Sequence, residues 1–151
     1  QEPGHPPLKA GERHDLGELY REVVAVRLDQ RNVFLPDLAF YRASRLGLVG
    51  ETYIDGAPDL VVEVLSKTTA SRDVTQKFVA YEHYGVREYW LLDPLTLAHS
   101  FFRHNGEVFV EIAHGEPSFA SEVLPGFILQ RKWLDPDGLP KVEACLAELS
   151  R

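Results

Sequence analysis

Three polar side chains lie at positions where their neighbours along the chain are apolar. Asp37 follows a proline inside an apolar segment, and Glu63 lies in the middle of the apolar run 60–65. Lys77 falls on the apolar stripe of the helix that is predicted after that run. A carboxylate in a buried strand is costly to keep ionised unless another group pairs with it. Glu63 therefore needs a partner, and Asp37 and Lys77 are the candidates.

These residue types can form a site for the hydrolysis of a phosphate ester. Carboxylates from two neighbouring strands, Asp37 and Glu63, can hold a divalent cation through their oxygen atoms, and the backbone carbonyl of Val64 could add a further ligand. Such a cation polarises a phosphate and lowers the pKa of a bound water. The ammonium of Lys77 could position or deprotonate the attacking water, or neutralise charge that develops in the transition state.

Each candidate also has a structural interpretation. Asp59 follows a proline as well, but it lies four strand residues from Glu63, about 13 Å at the usual rise, so we interpret it as a cap of the strand entry. Asp73 and Lys77 are spaced as an i, i+4 helix ion pair. Glu63 and Lys77 could pair purely as structure. Tyr81 could donate to a site carboxylate or simply pack in the core.

The elements predicted around Glu63 form a strand–helix–strand unit. The run 59–65 is almost continuously apolar, which is typical of a strand covered on both faces. Ser71 is a good N-cap for a helix over 72–84, and Gly85 is a natural stop. The next strand covers 86–93. Because a strand, a helix and a strand follow one another, we predict a right-handed parallel crossover.

Shorter elements flank this unit. Segments 23–28 and 33–41 are rich in β-branched and aromatic residues and predict a hairpin around a turn at 29–32. Pro36 marks an edge, a bulge or a bend in the second strand. The other predicted elements are a loop with at most a short helix over 42–58, a hairpin of 98–103 with 107–112, a short strand within 122–129 and a C-terminal helix over 140–149. The predicted fold class is α/β, or α+β, with a central mixed sheet flanked by helices.

Composition is that of a globular domain. The chain has 151 residues, 44% of them hydrophobic, and a formal net charge of −7 without a Lys/Arg-rich block. This charge argues against strong nonspecific binding to nucleic acid, although a metal site could still attract phosphate. Residues 1–15 predict an irregular arm before which further residues could be missing, and 16–151 predict a single domain.

The cysteine content and the hydropathy favour a cytoplasmic protein. Cys145 is the one cysteine, so an internal disulfide is impossible, which fits a reducing compartment. No run approaches the roughly 18 apolar residues that a membrane span needs, and no signal-peptide pattern opens the chain. We therefore expect no membrane association.

An ordered series of motifs resembles the Uma2 family, bacterial proteins described as restriction endonucleases within the PD-(D/E)XK nuclease superfamily. The resemblance covers residues 16–129, and the series as a whole is much more specific than any one motif. The motifs are PDLAFY at 36–41, APDLVVEVLS at 57–66, Asp73, Lys77, Tyr81 and GVREYWLLDP at 85–94.

The resemblance implies a restriction-endonuclease-like core and Mg²⁺-dependent hydrolysis of phosphodiester bonds in DNA, with Mn²⁺ as an alternative ion. Asp37 corresponds to the acid of the PD motif, and Glu63 to the acid of the (D/E)XK element. The lysine of that element is expected two residues after Glu63, where this chain has Leu65. Lys77 would then supply the ammonium from the next helix. The superfamily often adds an acid before the first strand, and we find no matching candidate in 1–15.

Two other functions stay open on the sequence. The absent lysine and the acidic charge also fit a non-catalytic, nuclease-like module for oligomer assembly or partner binding. A hydrolase of another phosphate ester or of a small nucleotide is a third interpretation. We also expect a homodimer or a higher oligomer, because nuclease-like domains often pair to act on two strands. Four aromatic residues could form an interface, although core packing is the simpler expectation: Phe101, Phe102, Phe109 and Phe119.

Overall fold

The computed structural model describes residues 13–14, 16–21, 24–69 and 71–138, together with positions 144 and 147. A seven-stranded sheet forms the centre, and a three-stranded and a two-stranded sheet lie beside it. The strands are β1 (Arg13–His14), β2 (Gly17–Arg21), β3 (Ala25–Arg27), β4 (Val33–Phe34), β5 (Leu38–Arg42), β6 (Tyr53–Asp55), β7 (Leu60–Val64), β8 (Glu88–Leu92), β9 (Ser100–His104), β10 (Phe109–Ile112), β11 (Ser118–Ala120) and β12 (Ile128–Gln130). Helix α1 covers Ser71–His83, and 3₁₀ turns cover Ala43–Leu48 and Arg131–Leu134.

The central sheet is mixed, as the predicted fold class requires. Its strand order is β1-β2-β5-β7-β8-β9-β10. Strands β7 and β8 run parallel, with Glu63 opposite Leu91, whereas β5 pairs with β7 and β9 pairs with β8 in antiparallel fashion. Helix α1 connects the two parallel strands, so the predicted strand–helix–strand crossover is confirmed. The second strand was predicted to begin at residue 86, but β8 begins at Glu88.

The strand predicted over 33–41 is wrong as one element. It divides into β4 and β5, which belong to different sheets. Strand β4 pairs with β3, so the predicted hairpin exists only as this short antiparallel pair, and β5 lies between β2 and β7 in the central sheet. The break falls at residues 35–37, where Pro36 is buried and has no N–H to donate to a ladder.

Other predictions are confirmed or corrected more simply. The hairpin of 98–103 with 107–112 corresponds to β9 and β10. The expected loop over 42–58 contains a 3₁₀ turn and also β6, which pairs in parallel with β3. The last strand, β12, pairs with β11. It was predicted around residues 125–126, and it begins two residues later, at Ile128. The predicted helix over 140–149 and most of the arm over 1–15 lie outside the described residues, although the arm's residues 13–14 form β1.

Apolar layers cover both faces of the central sheet. Val62 and Trp90 face one layer, which includes Phe119 from β11. Val61 and Tyr89 face the other, where Tyr81 of α1 packs. Because successive strand residues point to opposite faces, Glu63 lies on the same face as Val61, beneath α1. Three of the four candidate interface aromatics, Phe101, Phe109 and Phe119, are buried in these layers, so core packing accounts for them.

Candidate active site

Glu63 is a buried acid at the end of β7. Its residue surface is 6% exposed, and it lies on the face of the sheet that α1 covers. Burial raises the pKa of the Glu63 carboxyl above its usual value of 4.5, because the charged form loses hydration. Lys77 and the hydroxyl of Tyr81 act in the opposite direction, and the nearby charge of Asp37 adds to the increase.

The two oxygens of the Glu63 carboxylate have different partners. Oε2 lies 3.4 Å from Nζ of Lys77 and accepts a hydrogen bond of 2.9 Å from the hydroxyl of Tyr81. Oε1 accepts one long hydrogen bond, of 3.4 Å, from the backbone N–H of Asp37. The side of Glu63 that faces α1 is therefore occupied, and the side that faces Asp37 is nearly free.

Asp37 reaches the site because Pro36 ends the ladder between β5 and β7. Leu38 pairs with Val62 in that ladder, and one further step in the same register places Asp37 opposite Glu63. The step after that would need an N–H at Pro36, which has none. The carboxylate of Asp37 supplies an acceptor beyond the end of the ladder, since its Oδ2 accepts a hydrogen bond of 2.6 Å from the N–H of Val64. Both acids are thus brought to one cleft, which they line together.

Lys77 joins the acids from α1. Its side chain is 31% exposed, so the ammonium contacts Glu63 and still reaches solvent. Among the described residues its ion pair is with Glu63, and the alternative helix pair with Asp73 does not form. Lys77 therefore delivers a positive charge to Glu63 from the helix face that the sequence predicted.

A cleft of about 220 Å³ opens over these groups. Asp37, Glu63, Val64 and Lys77 all line it, and so does Leu65, the residue at the position where the superfamily resemblance expected a lysine. The other lining residues are Leu35, Ser66, Thr69, Asp73, Val74, Tyr89 and Leu91. The structure thus brings the four sequence-predicted site residues into one solvent-open cleft.

The donors present fit a hard divalent cation. In the described part of the chain no group of three or more His, Cys, Asp and Glu side chains is arranged around one point, so Asp73 lines the cleft without joining Asp37 and Glu63 in one cluster. Mg²⁺ is commonly held by one or two carboxylates and completes its shell with water. Oδ1 of Asp37 accepts no hydrogen bond from a described residue, and Oε1 of Glu63 accepts a single long one. Two carboxylates against one ammonium also leave a negative charge that a cation would balance.

Asp59 lies apart from this chemistry, as the sequence indicated. It is buried at the entry to β7, where its carboxylate accepts a hydrogen bond of 2.8 Å from the N–H of Arg42. Arg45 forms an ion pair with the same carboxylate at 3.0 Å. These contacts fix the chain before β7, so its role here is structural.

Sequence reasoning did not assign the hydroxyls at the mouth of the cleft. Ser66 and Thr69 line it, and their side-chain oxygens lie 2.9 Å apart in the turn between β7 and α1. The available signal was their position directly after the strand that carries Glu63. Tyr81 was left open between packing and donation to a site carboxylate, and it does both.

A mixed sheet with one parallel crossover, and with acids at the end of the crossover strand, is the architecture of a restriction-endonuclease-like protein. The chain belongs to the Uma2 family, described as "Putative restriction endonuclease", which matches residues 8–132.

One solved structure supports the fold. It is a protein from Anabaena variabilis described as a "putative nuclease belonging to DUF820", 21% identical, with a TM-score of 0.60. The match covers 80% of this chain and 68% of the other. No curated protein matches the chain. Within the described residues, no helix is long and apolar enough to cross a membrane.

Proposed function

We propose that the protein is a divalent-metal-dependent endonuclease that hydrolyses phosphodiester bonds in DNA, with Asp37, Glu63 and Lys77 as its catalytic residues. The observation that carries the proposal is the convergence of two carboxylates and one ammonium in a solvent-open cleft at the end of β7. Membership of the Uma2 family supports a nuclease over other uses of the same groups.

Asp37, Glu63 and the backbone carbonyl of Val64 would hold the cation, Mg²⁺ or Mn²⁺. When bound, it would supply Lewis acidity to a phosphate oxygen and lower the pKa of a water. The chain contributes by holding the donors in place: the N–H of Val64 fixes Asp37, and Lys77 with Tyr81 fixes Glu63. Fixed donors need no rearrangement as the reaction proceeds.

Lys77 has the position of an electrostatic catalyst. Its Nζ lies 3.4 Å from Glu63 and its side chain keeps solvent contact, so the same ammonium can donate to a phosphate oxygen that enters the cleft. Charge that develops on that oxygen is stabilised by a donor already held nearby. An N–H of the same ammonium can also position a water in the cleft.

The proposal extends to assembly and location. A duplex has two strands to cut, which favours a homodimer or a higher oligomer with one cleft for each strand. The single cysteine favours a reducing compartment, and we propose the cytoplasm, where DNA is accessible.

Replacement of Glu63 by Gln tests the proposal directly. The variant keeps the shape of the side chain and removes its charge, so Mg²⁺-dependent nicking of a supercoiled plasmid should fall by at least about 100-fold. Glu122→Gln is a matched control, because Glu122 is half exposed and pairs with Arg87 and Arg103 away from the cleft. Circular dichroism establishes that both variants are folded. Unchanged nicking in Glu63→Gln would remove Glu63 from the mechanism.

A non-catalytic, nuclease-like binding module is the second candidate. Leu65 at the position of the expected lysine favours it. Calorimetry with Mg²⁺ or Mn²⁺ separates the two functions. Absence of binding at millimolar metal supports the module, whereas binding that is lost in Asp37→Asn supports the nuclease.

A further inference from the structure

We propose that Tyr81 is a positioning residue that fixes the Glu63 carboxylate so that Glu63 binds the divalent cation through Oε1 alone. The inference rests on the metal site of the proposed function. It adds the mode of ligation and the residue that determines it.

Tyr81 is held rigidly beneath the site. The residue is fully buried in α1, and its ring makes edge contacts with Phe34 at 5.6 Å and with Tyr89 at 5.3 Å between ring centres. Aromatic neighbours on two sides leave the ring little freedom to turn. Its hydroxyl donates a hydrogen bond of 2.9 Å to Oε2 of Glu63, so the rigidity of the ring is transmitted to the carboxylate.

Oε2 already has two partners from α1. A carboxylate oxygen has two acceptor positions, and the hydroxyl of Tyr81 takes one of them. The ammonium of Lys77 forms an ion pair with the same oxygen at 3.4 Å. A cation on Oε2 would have to displace Lys77 or break the bond to a hydroxyl that cannot move away.

Oε1 has the opposite surroundings. Among the described residues, its hydrogen bond is the long one of 3.4 Å from the N–H of Asp37. It therefore lies on the side of Asp37, the residue whose carboxylate would share the cation. Monodentate ligation through Oε1 keeps Lys77 and Tyr81 in place and leaves the remaining cation positions to water and substrate, as Mg²⁺ prefers.

Calorimetric titration with Mn²⁺ tests the role of Tyr81 without any measurement of activity. Loss of a group that orients a metal ligand typically weakens metal affinity by 10- to 100-fold, and we expect this range for Tyr81→Phe. Tyr84→Phe is the matched control. Tyr84 also donates its hydroxyl to a carboxylate, that of Asp29, but neither residue lines the cleft. We expect its Mn²⁺ affinity to stay within about twofold of the wild type.

A crystal of the wild-type protein grown with Mn²⁺ tests the ligation itself and needs no variant. We expect the ion on Oε1 of Glu63, with the hydroxyl of Tyr81 still bonded to Oε2. Bidentate ligation, or an ion on Oε2, would overturn the inference.

The outcomes separate the inference from the function on which it rests. A wild type that does not bind Mn²⁺ overturns the proposed metal site and this inference together. A wild type that binds Mn²⁺ while Tyr81→Phe binds it equally well overturns the inference alone. If Tyr81→Phe does not fold, the Mn²⁺-bound crystal decides.

Discussion

Glu63 combines two demands that oppose each other. Under the proposed function its ionised form is needed to hold a cation, yet burial under α1 disfavours that form and raises the pKa of the carboxyl. Lys77 and Tyr81 offset part of this cost through Oε2. A buried acid of this kind is more often found at a functional site than in an ordinary core, because stability alone would favour an apolar residue.

The raised pKa of Glu63 predicts a pH-dependent cost to stability. The folded state binds the proton more tightly than the unfolded chain, whose carboxyl titrates near 4.5. The stabilisation from this site is therefore complete below pH 4.5 and is lost as the pH rises through the folded-state pKa. Glu63→Gln does not titrate, so the wild type should lose about 1.4 kcal/mol relative to the variant for each unit by which the pKa is raised.

Urea unfolding of both proteins between about pH 4 and 8, with chelator present, measures this difference. The other titrating groups are common to the two proteins, and those that do not interact with Glu63 cancel in the subtraction. If the wild type instead gained stability relative to Glu63→Gln as the pH rose, the folded-state pKa would be lowered and the electrostatic account of Glu63 would be wrong.

At the scale of elements, the crossover could be predicted because its signals are local. An apolar run, a cap candidate at Ser71, a helical period through Tyr81 and a stop at Gly85 lie in one continuous stretch. The site residues Glu63 and Lys77 lie on this unit, so their proximity followed from it.

The other strand pairings and the surroundings of Glu88 could not be predicted, because they depend on contacts between distant parts of the chain. Residues 33–41 look like one strand, since the pattern is apolar on both sides of Pro36, and the division between two sheets comes from the partners of β4 and β5. The pairing of β3 with β6 joins segments about 28 residues apart and has no local signal. Glu88 looks like an ordinary polar residue at the start of a strand, because three of the groups that donate to it belong to the distant residues 121–123.

Glu88 links the central sheet to the segment that follows β11. It is fully buried, on the face of the sheet opposite the cleft. Its carboxylate accepts hydrogen bonds from Trp90 at 3.0 Å, from Ser121 at 2.8 Å and from the backbone N–H groups of Glu122 and Val123. These four donors, together with an ion pair to Arg103 at 3.9 Å, satisfy the buried carboxylate.

Glu88→Ala should lower the free energy of unfolding by about 3–5 kcal/mol, because it leaves several buried donors without an acceptor. Urea unfolding at pH 7 measures the change. Glu122→Ala removes a half-exposed acid from the same region and should stay within about 0.5 kcal/mol of the wild type. A loss below about 1 kcal/mol in Glu88→Ala would mean that water or neighbouring groups replace the carboxylate.

At the scale of the whole molecule, the net charge of −7 sets the conditions for DNA binding. An acidic protein lacks the counterion release that drives most nonspecific affinity. The carboxylates that line the cleft repel phosphate further until a cation balances them. Under the proposed function, the divalent ion is therefore needed for binding as well as for chemistry.

Fluorescence anisotropy with a labelled, phosphorothioate-substituted duplex tests this expectation at constant ionic strength. With chelator and 0.15 M salt, the wild type should bind no more tightly than about 10⁻⁴ M, the weak end of nonspecific affinities. Magnesium should tighten binding by at least about tenfold. Glu63→Gln should bind somewhat more tightly than the wild type in chelator, since it removes one negative charge, and should not respond to magnesium. Identical wild-type binding with and without magnesium would contradict the expectation.

The parallel pairing of β7 with β8 also determines when the cleft can exist during protein synthesis. Parallel neighbours must wait for the connecting helix and for the second strand, whereas antiparallel hairpins close as soon as they are made. Asp37, Glu63 and Lys77 all precede β8, so a chain that grows by about 5–20 residues per second spends on the order of a second with all three side chains made and no completed sheet to hold them. Under the proposed function, the nascent chain would therefore have no formed cleft while it is close to the nucleic acids of the ribosome.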